Sequence, residues 1–359
     1  MTRFVRLALL LVALALGFAT VSAPTTSLLA QEAGQVPGGA LGGSSDTDLW
    51  RAIRRGESGQ VSIPNAQAGV LIQSEGESWR AIRNGPLSTY GVWVMAGMIA
   101  LLALFFLLRG RVRIEHGPSD MTVERFGPID RFAHWLTAIS FIVLALTGLN
   151  LLYGKFVLLP AIGPAAFGTV TQWGKYAHNY LAFAFMLGVV LMFVLWIKDN
   201  LPSRYDVIWL LKGGGLFAKG VHPPARRFNA GQKLIFWAVI LGGLSLSLSG
   251  WALLFPFEYE FFSATFAKVN AVFGTELPAA LTPIQEMQLN QVWHAAVALV
   301  LIAIILAHIY IGSIGMEGAF SAMGNGRVDL NWAREHHALW VEEMERKHGS
   351  AEAAATPAE

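Results

Sequence analysis

Four histidines stand in parts of this chain where a polar side chain is expensive. The stretch Val292–Gly312, VWHAAVALVLIAIILAHIYIG, is apolar enough for a bilayer yet carries His294 and His308. His134 lies in Arg131-Phe-Ala-His-Trp135 and His178 in Lys175-Tyr-Ala-His-Asn-Tyr180, each opening another apolar run. An imidazole in hydrocarbon is costly unless it faces a protein interior and has a partner, so each marks a functional position by default. Taken singly, a hydrogen bond between helices would satisfy any one of them. Helical geometry makes the set more specific. At about 100° and 1.5 Å per residue, the step from His294 to His308 returns to within about 40° of the same face after a rise of about 21 Å.

The elements that position these residues are five apolar stretches near Tyr90–Leu108, Phe132–Tyr153, His178–Ile197, Leu234–Phe255 and Val292–Ile314. Each has about the twenty residues that a hydrocarbon core requires. The segments 109–131, 198–233 and 315–359 hold 5, 7 and 4 Lys/Arg, against 2 and 1 in the segments 154–177 and 257–291, which predicts that the first group is cytoplasmic. His134 and His308 then fall near the cytoplasmic surface, and His178 and His294 near the periplasmic one. Two pairs of opposed imidazoles at two depths suit two bis-histidine b-type haems stacked in a four-helix bundle. Zinc or copper suits them less, because those ions ordinarily want three or four ligands at one point. A proton relay is the third option, although the spans lack the carboxylates that such relays include.

Of 359 residues, 54% are hydrophobic and 14% charged, the composition of an integral membrane protein. The net charge of +2 gives no nucleic-acid signal, and the absence of cysteine excludes disulfides, thiolate-held iron–sulfur clusters and C-x-x-C-H haem attachment. Residues 1–23, MTRFVRLALLLVALALGFATVSA, have the basic start, apolar core and small-residue end of a signal peptide. Residues 24–89 are polar and would be periplasmic; within them LWRAIRRG (Leu49–Gly56) recurs as SWRAIRNG (Ser78–Gly85), which reads as two short amphipathic elements, docked on a partner or lying free on the surface. The remaining histidines, His116, His222, His336, His337 and His348, read as solvated loop residues.

The run VERFGPIDRFAHW (Val123–Trp135), Leu146-Thr-Gly-Leu149, KYAHNY and VWH resembles the membrane cytochrome b (gamma) subunits of bacterial respiratory formate dehydrogenases, a pattern partly shared with nickel–iron hydrogenase cytochromes b. Arg227-Phe-Asn-Ala-Gly-Gln-Lys233 and Glu77–Pro86 are similar to the formate-dehydrogenase branch. The resemblance implies an all-α di-haem bundle over residues 132–314, preceded by an extra span (90–108) and a cytoplasmic linker (109–131), and followed by a cytoplasmic tail (315–359). It implies two haem b groups with His134, His178, His294 and His308 as axial ligands, and a quinone, menaquinone or ubiquinone, held at Asn229 and Gln232. It further implies an iron–sulfur beta subunit and a molybdopterin-containing alpha subunit as partners, and a place in the bacterial cytoplasmic (inner) membrane. On that reading the chain is an electron-transfer subunit and does not itself oxidise formate. The hydrogenase cytochrome b and a cofactor-free membrane anchor are the other two readings. From the residues alone, Asn229 and Gln232 share a face at the cytoplasmic mouth of the fourth stretch, and either quinone binding or helix capping by Asn229 accounts for them.

Overall fold

A computed structural model describes residues 76–355; the signal-like segment and the first WRAIR copy lie outside them. The protein is an all-helical membrane protein. Among the described residues, α1 (Gly76–Ile82) runs through a π-helical turn into α2 (Ser88–Arg109). A short strand β1 (Thr122–Glu124) leads to α3 (Pro128–Trp196), followed by α4 (Arg204–Leu211), α5 (Ala230–Leu254), α6 (Phe261–Phe273) and α7 (Pro283–Tyr310). Then come α8 (Ser321–Gly324), strand β2 (Arg327–Asp329) and α9 (Leu330–Ala355). Four of these helices, α2, α3, α5 and α7, are long and apolar enough to cross a membrane.

Helix α3 carries two of the five expected stretches. Residues 154–177, expected as a loop, are helical except at Gly163 (φ 76°, ψ 167°). Only glycine adopts that backbone readily, and Pro164 then restarts the helix with its φ already set. The two halves fold back on each other. Thr137 lies against Gly188, the Phe141 and Phe185 rings are 5.9 Å apart, and Asn150 Nδ2 donates to Thr171 Oγ1 at 3.0 Å. One partner's number rises as the other's falls, so the halves are antiparallel. A Cβ at Gly188 would sit 3.1 Å from the Thr137 Cα and N, backbone atoms that cannot turn aside, a tighter approach than most side chains make, which favours glycine at this contact.

The contacts divide the chain into two compact units, residues 1–85 with 249–293, and residues 86–248 with 294–359. In the first, the Glu286 carboxylate (1% exposed) accepts the Phe262 and Ser263 N–H groups that open α6. The second holds the core built from Phe141, Phe185, Val189, Ile240 and Leu301. Helix α2 is its least buried span: 6% of its apolar window is covered, against 22–33% for the others, so most of its apolar side chains are exposed on the chain by itself.

Polar contacts gather at one end of the second unit. Asp130 accepts the Gly127 N–H at 3.1 Å and the Trp196 Nε1–H at 2.5 Å, tying the start of α3 to its end. Arg227 bridges Asp130 (3.4 Å) and Asp199 (2.9 Å), and the buried Lys233 pairs with Asp206 at 2.9 Å. Strands β1 and β2 pair antiparallel, Val123 opposite Val328, and fasten the segment before α3 to the one after α7. Trp332, Ala333, Trp340 and Val341 of α9 join the core.

Candidate functional site

The two halves of α3 and the helix α7 bring the four histidines into two facing pairs. His134 and His308 have ring centres 6.1 Å apart with planes inclined at 61°. His178 and His294 repeat this at 6.3 Å and 61°. A direct N–H···N bond between imidazoles would draw the centres to about 5.1 Å, from a heavy-atom distance of about 2.9 Å and about 1.1 Å from each nitrogen to its ring centre. Two metal–nitrogen bonds of about 2 Å on opposite sides of one iron give about 6.2 Å instead. Both pairs match the second figure. Among the described residues no group of three or more His, Cys, Asp or Glu converges as a zinc site would require.

The surroundings of the pairs differ. Thr147, on the first half of α3, has its Oγ1 2.8 Å from His178 Nδ1, 2.7 Å from the Val143 carbonyl and 3.1 Å from the Leu144 carbonyl. Gly174 and Gly148 flank this contact, and a Cβ at either would meet Thr147 or His178 Cε1 at an ordinary van der Waals distance of 3.5 Å. His294 bonds to the backbone of Leu246 on α5. By contrast His134 Nδ1 is buried without a hydrogen-bond partner.

Asn229 and Gln232 open α5. Asn229 Oδ1 accepts the Gln232 N–H at 2.9 Å and Gln232 Oε1 accepts the Asn229 N–H at 3.1 Å, a reciprocal cap. Their other hydrogen bond is to Arg125 Nη2, 3.4 Å from Gln232 Oε1, and none runs to His308. Because backbone N–H groups occupy both amide oxygens, both NH2 groups remain as donors.

Sequence reasoning missed what lies behind them. Arg125 is 3% exposed, with its guanidinium 5.3 Å from the Phe126 ring centre, 5.2 Å from Trp332 and 5.3 Å from Trp340. Burial, then the neighbouring Arg227, lowers its pKa to about 9, so it stays charged at neutral pH inside an aromatic box. His337, read as solvated, is fully buried: its Nδ1 meets the Arg226 carbonyl at 2.7 Å, and its backbone leaves the helical region (φ −146°, ψ 44°). His336 beside it is pushed down to about 4, chiefly by burial. A sequence signal existed, since Ala333, His337 and Val341 recur every four residues and share the apolar face of α9. His116 and His222 do lie at the surface side of this cluster, bonded to Glu335 (2.8 Å) and Glu115 (3.1 Å).

Fold and site together define a multi-pass, all-helical membrane protein that faces imidazoles in pairs across helices, at the spacing of an axial-ligand couple. The profile of the prokaryotic cytochrome b561 family matches residues 125–326, more than half of the chain. The chain belongs to that family, which implies haem b and a cytochrome b role in electron transfer. It is 28% identical, over 226 residues, to the cytochrome b556(Fdn) subunit of the nitrate-inducible formate dehydrogenase of Escherichia coli K12, covering 62% of this chain and 92% of that one. It is 29% identical over 225 residues to the formate dehydrogenase cytochrome b556(fdo) subunit of the same organism (63% and 94%). With the formate dehydrogenase cytochrome b556 subunit of Haemophilus influenzae it shares 25% over 228 residues (63% and 84%).

Proposed function

We propose that this chain is the di-haem cytochrome b subunit of a formate dehydrogenase, carrying electrons from a periplasmic iron–sulfur subunit across the membrane to quinone. The observation that carries the reading is the pair of matched imidazole couples, 6.1 and 6.3 Å between ring centres, on helices crossing the same bilayer. Haem bound there supplies one-electron storage at each level, ferric to ferrous. His178 and His294 hold the periplasmic level; His134 and His308 hold the cytoplasmic one. The Lys/Arg distribution supports this orientation, with residues 24–89 outside the inner membrane and 315–359 within the cytoplasm. The names of the relatives, cytochrome subunits of formate dehydrogenases, support assembly with a formate-oxidising partner; on the family resemblance that partner comprises an iron–sulfur subunit and a molybdopterin-containing subunit. Domain limits follow the same reading: an extra span over 90–108 and a cytochrome domain over 132–314.

Quinone binds at the cytoplasmic mouth of α5, where the Asn229 and Gln232 NH2 groups donate to its carbonyls. Reduction there takes protons from the cytoplasm. Moving each electron inward against the membrane potential costs about 2.3 kcal/mol per 100 mV, so the redox drop from formate is stored as proton-motive force.

The test is haem stoichiometry. Purified protein should hold two low-spin haems per chain, and His178→Ala and His294→Ala should each remove the same one. A content of zero or one in the unaltered chain would overturn the pairing. A molybdopterin subunit that copurifies supports the formate-dehydrogenase assignment, and a nickel–iron subunit overturns it.

A further inference from the structure

We infer that the two haem levels are built with different reduction potentials, the His178–His294 level the lower, and that Thr147 is a positioning residue that helps to set the gap. The inference rests on the ligation proposed above.

The Thr147 hydroxyl has one proton and three neighbours. Two are helix carbonyls, which only accept, so the proton is spent on them and Oγ1 turns a lone pair toward His178. Nδ1 of His178 is therefore the N–H donor. Nε2 is left with the lone pair that binds iron. His294 repeats the arrangement with the backbone of Leu246 in α5. An imidazole that donates its second N–H gains basicity, and a more basic axial ligand stabilises ferric over ferrous iron.

No such support exists at the other level. His134 Nδ1 is buried and unpartnered, and among the described residues neither the His134 nor the His308 ring makes a hydrogen bond. Fixed charge at the His134 end is mixed: Arg131, three residues before His134, and the buried Arg125 stand with the Asp130 and Asp199 carboxylates that Arg227 bridges, while Lys175 lies three residues before His178. The hydrogen bonds to the ligands therefore decide the order: they favour ferric iron at the His178–His294 level, so electrons run downhill from there to the His134–His308 level.

The experiment is a potentiometric titration of haem absorbance in the full-length protein. His294→Ala and His308→Ala, each lacking one haem, assign the two one-electron waves. The wave lost in His294→Ala should be the lower. Thr147→Val keeps the shape and removes the acceptor; it should raise that wave by a three- to tenfold change in the ferrous-to-ferric ratio, or about 30–60 mV at 59 mV per decade, and leave the other in place. Thr147→Ser should return it toward the unaltered value. If the valine variant does not assemble, Thr147→Ala tests the same loss. The inference fails if the His294-dependent wave is the higher, if the Thr147 variants move neither wave, or if they move the His308-dependent one. A protein without two haems would instead overturn the ligation itself, and the inference with it.

Discussion

Acid should loosen the C-terminal helix α9 from the core, by an amount that two histidines determine. Burial holds His336 down to about 4, against the pull of Glu335 and Glu115 and with the help of His222 and Arg125. Burial and then Arg125 hold His337 well below its ordinary range, with His336 adding to this and the Arg226 carbonyl opposing it. Released from the core, both imidazoles would titrate near 6.5. Below that pH the released segment binds protons that the packed one refuses, so stability falls as pH drops through the window from about 6.5 to 4. Between pH 7.5 and 5 a released imidazole goes from about one-tenth protonated to almost wholly protonated while the packed one stays neutral. That difference is about 2 kcal/mol for each histidine and about 4 kcal/mol for the two. Carboxylates do not blur this window. A hydrogen bond from the Gly220 N–H holds Glu115 below its ordinary 4.5. Burial raises Glu335, but hydrogen bonds from His116 and Glu115 outweigh it and leave it below 4.5 as well. Their acid sensitivity therefore begins lower. Amide exchange over residues 332–340 at pH 7.5 and 5.0, corrected for intrinsic rates, reads the opening free energy directly. Opening energies equal within about 0.5 kcal/mol at the two pH values would refute the reasoning, as would a full acid drop in a His336→Leu/His337→Gln variant.

Three further outcomes are expected. Gln232→Leu removes half of the reciprocal cap and one NH2 donor; it should cost about 1 kcal/mol of stability, keep both haems, and slow their reoxidation by quinone about tenfold in a stopped-flow trace. Reoxidation at the unaltered rate would put the quinone elsewhere. Gly188→Val places carbon against the Thr137 backbone and must part the two halves of α3; the overpacking should cost about 1–3 kcal/mol and lower the haem absorbance recovered per chain. A reporter joined after Gly349 should behave as cytoplasmic and one near Gly163 as periplasmic, and the opposite result would reverse the direction of electron flow.

The sequence by itself determined the class of this protein and the chemistry open to it. Apolar runs of about twenty residues dictate membrane helices because backbone groups in lipid must bond internally. A chain without cysteine that places four histidines at two depths of those helices restricts any metal to imidazole, methionine or carboxylate. The hydrophobic pattern ended the second stretch at Tyr153, yet the helix runs on through Pro160 to residue 162 and leaves helical geometry only at Gly163. Tertiary structure alone decided the rest. The 6.1 and 6.3 Å gaps lie between α3 and α7 and depend on how each half of α3 packs against α7, a packing distance that no single helix encodes. Asn229 and Gln232 were legible as polar residues on one face, but their mutual capping appears only once the chain before α5 turns. His336 and His337 read as solvated because their helix is polar overall and its apolar face is narrow. Burial is a property of what covers a residue, and here part of the cover, Arg125 and Phe126, comes from more than two hundred positions away in the chain.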